Sequence, residues 1–231
     1  MATKYSDGVP VDDRVMVLVW QLPVRLAHWV IVFSIVGLSI TGAIIGNGNM
    51  GWLAGHDGGM NLTRSVHMFF AWIFLVAVIG RLIWMFMGNK YSRWDQFIPV
   101  AKERRVQMLE TLKYYAFMRK LPPNLAGHNP LAGMAYAAIY ALFVVQALLG
   151  IGLYGVEHPG TIFAALTSWV FNLVTLPGVR LIHHLLMWVF IVFVIQHLYS
   201  MSIVDFEERT GTISSMMAGT KIVHVDELDK H

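Results

Sequence analysis

Four long apolar runs constrain this chain more than any other feature. They lie at Pro23–Gly46, Leu62–Met87, Leu131–Tyr154 and Val179–Ile203. Each has the length, about twenty residues, that a helix needs to cross a hydrocarbon core of about 30 Å. Only 13% of the 231 residues are charged, about half the share usual in soluble domains. In lipid every backbone N–H and C=O must be satisfied within its own segment, so open strands are excluded and the runs read as helices. The expected fold is all-α: an integral membrane four-helix bundle, one membrane domain over 1–231 with a tail at 204–231. Pro23 suits the first turn of its helix, where an N–H has no partner to lose. The first run does not read as a secretory signal. Lys4, Asp7, Asp12, Asp13 and Arg14 precede it, and no small-residue cleavage site closes it.

The charge between the runs gives an orientation. Residues 47–61 and 156–178 contain no Lys or Arg, whereas residues 88–130 contain eight. Both termini and the long middle loop are therefore expected on the cytoplasmic side. The same clustering accounts for the formal net charge of +3 without a nucleic-acid partner. Within the middle loop, Val106, Leu109, Leu112 and Ala116 recur at helical spacing across Val100–Phe117. That pattern predicts an amphipathic helix lying at the interface between spans two and three. The outer loops are rich in glycine and aromatics, including Trp52, Phe163, Trp169 and Phe171, and suit contact with a partner.

Ionisable groups inside a membrane are costly and usually functional. Histidines stand in three of the four runs. With the orientation above, His28 and His197 fall near the cytoplasmic side, and His67 and His183 near the outer side. His183 is chosen over His184 by helical phase. Fourteen residues bring a side chain back to within about 40° of its starting face and about 21 Å along the axis, so His183 and His197 share a face. One buried histidine alone reads as an inter-helix hydrogen bond. Two layered pairs read as axial ligands of two haems. The chain has no cysteine, which excludes iron–sulfur ligation and covalent haem attachment by this chain. Imidazole on both sides of iron leaves no open position, so such haems pass electrons.

A second pattern accompanies the histidines. RLAH (25–28), RSVH (64–67) and RLIH (180–183) each set an arginine one helical turn before the imidazole. Arg25, Arg64 and Arg180 are thus candidate partners for haem propionates, which guanidinium groups bind bidentately. The competing reading is snorkelling to headgroups. Gly37, Gly42, Gly46, Gly80, Gly150 and Gly152 offer room for a flat macrocycle, or for close helix packing. The third run has no histidine and would serve as a wall. Near the cytoplasmic end of that run, His128 and Asn129 in GHNP are candidates to hydrogen-bond a quinone carbonyl. The alternative is turn and cap chemistry. His56, Asp57, Glu157 and His158 read as exposed outer-loop residues, and His224 and His231 as polar tail.

PVRLAHW (23–29), GNKYSR (88–93), GHNPLAG (127–133), EH (157–158), RLIHHLLMW with QHLY downstream, and TISSMMAG (212–219) together carry a resemblance. The chain resembles the cytochrome b subunit of membrane-bound uptake-type nickel–iron hydrogenases over roughly Val15 to Val223. The histidine pattern is shared more widely, as in membrane subunits of formate dehydrogenases. GNKYSR, GHNP and TISSMMAG point to hydrogenases. The resemblance implies two haems b, with His67 and His183 on the outer one and His28 and His197 on the cytoplasmic one. It implies electrons arriving from an iron–sulfur small subunit, itself joined to a nickel–iron large subunit, on the periplasmic side of the inner membrane. Their destination would be menaquinone or ubiquinone. The rivals are the same bundle serving another periplasmic dehydrogenase or reductase, and a non-redox membrane anchor or transporter.

Overall fold

The computed structural model describes residues 5–6, 9–10, 14–47, 50, 52, 55, 58–116, 118, 129–208 and 210–225. The four expected spans are helices α1 (Leu22–Gly46), α2 (Gly59–Met87), α4 (Pro130–Glu157) and α7 (Leu176–Glu208). All four are long and apolar enough to cross a membrane. At 25, 29, 28 and 33 residues they overrun the apolar runs, most at the end of α7, where the helix continues through Asp205, Glu207 and Glu208. Their outer faces carry large exposed apolar side chains, among them Phe33, Phe69, Val76, Val192 and Ile195. Such a continuous apolar exterior belongs in lipid. Between the spans lie α3 (Lys102–Tyr115), α5 (Ile162–Thr167), α6 (Val170–Leu173) and α8 (Thr212–Ala218). On α3, Val106, Leu109 and Leu112 are exposed while Arg104 and Thr111 are buried. Lys102, Glu103 and Arg105 are exposed on the same helix, so the apolar stripe expected there is weak.

Two compact units are distinguished. One comprises residues within Leu26–Ile83 and Tyr136–Tyr199, and the other residues within Met1–Arg25, Trp84–Ala135 and Ser200–His231. The first holds the middle of the bundle. Ile31, Phe74, Val78, Ile139, Phe143 and Phe190 form its core. Phe143 meets Phe74 edge-on at 5.1 Å and Phe190 at 4.9 Å, centroid to centroid. Phe74 and Phe190 each follow a histidine, His67 and His183, by seven residues. A smaller cluster joins Leu149, Val170 and Val179.

The second unit contains structure that hydropathy did not reveal. Strands β1 (Tyr5–Ser6) and β2 (Val9–Pro10) pair with each other. Strand β3 (Arg14–Leu18) pairs antiparallel with β4 (Thr220–His224), from Arg14↔His224 to Leu18↔Thr220. The ladder continues where the Val19 and Trp20 N–H groups donate to the Gly219 carbonyl at 2.9 and 3.0 Å. Gly219 has φ +90°, and a Cβ there would stand 2.8 Å from the Trp20 carbonyl oxygen. Trp20 Nε1 donates to Ser215 Oγ at 3.1 Å, and Val19, Trp20, Val24, Tyr91 and Val223 close a core around it. Asn89 is a hub. Its N–H donates to Gln21 Oε1 at 2.9 Å, its Nδ2 to the Val19 carbonyl at 3.0 Å, and its Oδ1 accepts from Ser92 Oγ at 2.8 Å. Gly133 approaches the backbone of Gln96 so closely that a Cβ would stand 2.4 Å from its carbonyl oxygen. Residues of GNKYSR, GHNPLAG and TISSMMAG thus build the packing and turns of this unit. Arg104 Nη2 donates to the Gln96 carbonyl at 2.8 Å, and burial lowers the pKa of this guanidinium against the opposing pull of Asp95.

Candidate functional site

The histidines of the first unit come together in twos. His67 on α2 and His183 on α7 have ring centroids 6.5 Å apart. His28 on α1 and His197 on α7 have theirs 6.4 Å apart. The two members on α7 are fourteen residues apart, a rise of about 21 Å, with the Phe74–Phe143–Phe190 cluster at intermediate positions along the chain.

Each pair has a polar neighbour. Thr41 Oγ1 lies 2.8 Å from His67 Nδ1. The Thr41 hydroxyl has one hydrogen, and it is donated to the Gly37 carbonyl at 2.7 Å. The oxygen is therefore the acceptor and His67 Nδ1–H the donor, which leaves the lone pair of Nε2 for a metal. In the other pair, Tyr136 Oη lies 3.5 Å from His197 Nδ1, and Phe193 stacks on the His197 ring at 5.7 Å. Gln146 Nε2 donates to the His183 carbonyl at 3.1 Å. The buried Nδ1 atoms of His28 and His183 have no hydrogen-bond partner among the described residues.

These pairs fit haem. An imidazole nitrogen sits about 1.2 Å from its ring centre and binds a metal at about 2 Å, so two imidazoles on opposite sides of one iron stand about 6.4 Å apart. No group of three or more His, Asp or Glu gathers among the described residues, as a free-ion site would need. A porphyrin takes four positions on its iron and asks the protein for two. Glycine supplies room beside the rings. A Cβ on Gly150 would stand 3.2 Å from His183 Cε1, and one on Gly42 3.4 Å from His67 Cε1. Other glycines of the sequence pattern pack against different groups. Gly37 faces the Phe70 ring, Gly152 the Phe171 ring, and Gly46 the ring of His184, while nothing lies within 4 Å of a Cβ on Gly80.

The arginines of the RxxH pattern do not share one setting. Arg25 Nη1 donates to the Met217 carbonyl, both residues lying in the second unit. Arg64 Nη1 stands 3.7 Å from Glu157 Oε1, both about half exposed. Arg180 is exposed. Asn129 Oδ1 accepts from the Leu131 N–H at 2.9 Å, the bond of a helix N-cap with Pro130 at the first position. His128 lies outside the described residues, as do His56, Asp57 and His231. His158 stacks on Tyr154 at 4.1 Å. Thr41, Tyr136 and the buried Arg81 were not singled out from the sequence. For Arg81 a signal was present: it follows His67 by fourteen residues, as His197 follows His183.

Apolar spanning helices with imidazoles paired at two levels define the class of membrane b-type cytochromes. The sequence profile of the prokaryotic cytochrome b561 family matches residues 19–219, and the chain belongs to that family. It is similar to the "Probable Ni/Fe-hydrogenase B-type cytochrome subunit" of Bradyrhizobium diazoefficiens, with 35% identity over 94% of this chain and 90% of the relative. The protein of that name from Cupriavidus necator is 35% identical over 87% of this chain and 85% of its own length. The "Probable Ni/Fe-hydrogenase 1 B-type cytochrome subunit" of Escherichia coli K12 is 30% identical over 90% and 92%. The chain is thus a multi-pass bacterial membrane cytochrome, and its family implies haem b.

Proposed function

We propose that this chain is the di-haem membrane subunit of a nickel–iron hydrogenase. It takes electrons from the enzyme's iron–sulfur small subunit, which is joined to the nickel–iron large subunit at the periplasmic face of the inner membrane, and delivers them to quinone. The observation that carries the reading is the two imidazole pairs at 6.4 and 6.5 Å. The relatives named above support the hydrogenase partner. His67 and His183 hold the outer haem, and His28 and His197 the inner one. The haems supply one-electron transfer. The protein would hold each haem through its pair of imidazoles and exclude water with its aromatic core. Arg64 and Arg180 serve the propionates of the outer haem. The Lys- and Arg-poor loops face the donor, and both termini face the cytoplasm. Quinone is reduced at the cytoplasmic side, near His128 and Asn129.

Single substitutions test the pairing. His67→Ala and His183→Ala should each halve the haem-to-protein ratio by pyridine haemochrome and remove the same component of a redox titration. His28→Ala and His197→Ala should each remove the other component. Loss of one component by both His28→Ala and His183→Ala refutes the assignment. Proteoliposomes given hydrogen and quinone should develop a potential, positive on the hydrogenase side. Quinone reduction without a potential would move the quinone site to the outer side.

A further inference from the structure

A guanidinium lies inside the second span. Arg81 on α2 is 3% exposed and hydrogen-bonded to the Tyr140 side chain of α4. Its place follows from helix geometry. His67 and His183 stand near the starts of α2 and α7 and face each other, and the other pair holds the later histidine of α7. A step of fourteen residues leads from His183 to His197 on α7 and from His67 to Arg81 on α2. On each helix that step is about 21 Å of rise and a return to within about 40° of the same face. Arg81 therefore occupies, on α2, the level that His197 occupies on α7. Tyr140 places Arg81 within about one helical turn of that level. It lies one turn along α4 from Tyr136, whose hydroxyl is 3.5 Å from His197 Nδ1. Tyr140 also packs against the Phe74–Phe143–Phe190 core, so the guanidinium is held at the core side of this level.

We propose that Arg81 sets the potential of the haem held by His28 and His197. The proposal rests on the ligand reading above. A guanidinium keeps its charge where an amine would give it up. When this haem is reduced, one electron from the outer haem converts ferric to ferrous iron, and the haem becomes more negative by one unit. No bond or proton changes at Arg81. A fixed cation in a low-dielectric layer favours the ferrous state, so Arg81 raises this potential and makes inward transfer more favourable. Arg81 is a positioning charge, held by Tyr140 and not ligating the iron.

The experiment is a spectroelectrochemical titration of the purified two-haem protein. Arg81→Gln should lower one midpoint by about 59 mV, which is about a tenfold change in a one-electron equilibrium. Arg81→Lys should retain most of the native value. The component that moves must be the one absent from His28→Ala. Where Arg81→Gln does not retain haem, Tyr140→Glu replaces it: a carboxylate set against the guanidinium cancels its field, and the same midpoint should fall. An unchanged midpoint overturns the proposal, as does an equal shift in Arg81→Gln and Arg81→Lys, or a shift confined to the haem that His28→Ala retains. If His28→Ala and His197→Ala remove different components, it is the ligand reading that fails.

Discussion

Thr41→Val is the sharpest probe of the outer pair. Valine keeps the branched shape of threonine, so packing on α1 is little changed. What goes is the one acceptor, 2.8 Å away, for His67 Nδ1–H. Thr41 is buried, at 8% exposure, so water does not replace it freely. A buried donor left without a partner costs about 1–3 kcal/mol. At about 1.4 kcal/mol per tenfold, that is a loss of about 5- to 150-fold in affinity for the metal centre. Loss of a group that orients a ligating histidine commonly costs about 10–100-fold, so the two routes agree. The assay is haem transfer from the detergent-purified protein to excess apo-globin, followed in the Soret band. It is best done in a His197→Ala background, where only the outer haem remains. Thr41→Val should speed haem loss at least several-fold, and Thr41→Ser, which keeps the hydroxyl, should not. Equal rates for the two variants would refute the reasoning, because shape and not the hydrogen bond would then control the site.

Gly150→Leu should expel the outer haem, since even a Cβ stands 3.2 Å from His183 Cε1, whereas Gly152→Ala, 3.5 Å from the Phe171 ring, should keep both haems by pyridine haemochrome. Gly219→Ala combines a φ of +90° with a 2.8 Å approach to the Trp20 carbonyl. Thermal unfolding in detergent should show a loss of about 1–3 kcal/mol, with haem content unchanged at low temperature. Asn129→Ala removes the cap on the Leu131 N–H and should cost about 1 kcal/mol. It should also slow quinone reduction while hydrogen-driven haem reduction survives, and full quinone turnover would clear this segment of the role. Arg64→Ala breaks a half-exposed ion pair with Glu157 at 3.7 Å. Its stability effect should stay below about 1 kcal/mol, so a lowered outer-haem midpoint in this variant would report on the haem and not on folding.

The four spans were legible because lipid demands long apolar helices, and the histidines because few ionisable groups interrupt them. The shared face of His183 and His197 followed from helical phase. Thr41 was silent for a physical reason. A threonine that bonds back to the carbonyl four residues earlier is at home in any apolar helix, so nothing in the sequence marks it as an acceptor for imidazole. Arg81 was hidden by its closeness to the end of an apolar run, where an arginine reads as snorkelling. The β3–β4 pairing was invisible to any local pattern. Strand RVMVL runs into the apolar residues before α1, and its partner TKIVH lies at the far end of the chain. The family-specific stretches were legible as a resemblance, but their part in packing and turns was not, since Asn89, Gly133 and Gly219 act through contacts distant in sequence.

That pairing has a consequence for how the protein is made. β3 precedes the first crossing and β4 follows the last, so the ladder closes only when the chain has crossed the bilayer an even number of times. At about 5–20 residues per second, the roughly 200 residues between the strands take about 10–40 s to emerge. Through that interval Arg14–Leu18 waits as an open edge. A molecule with a skipped helix leaves the two segments on opposite sides of the bilayer and keeps that edge bare. Closure of the ladder thus requires both strands on one side of the membrane, and it follows the entry of the last helix.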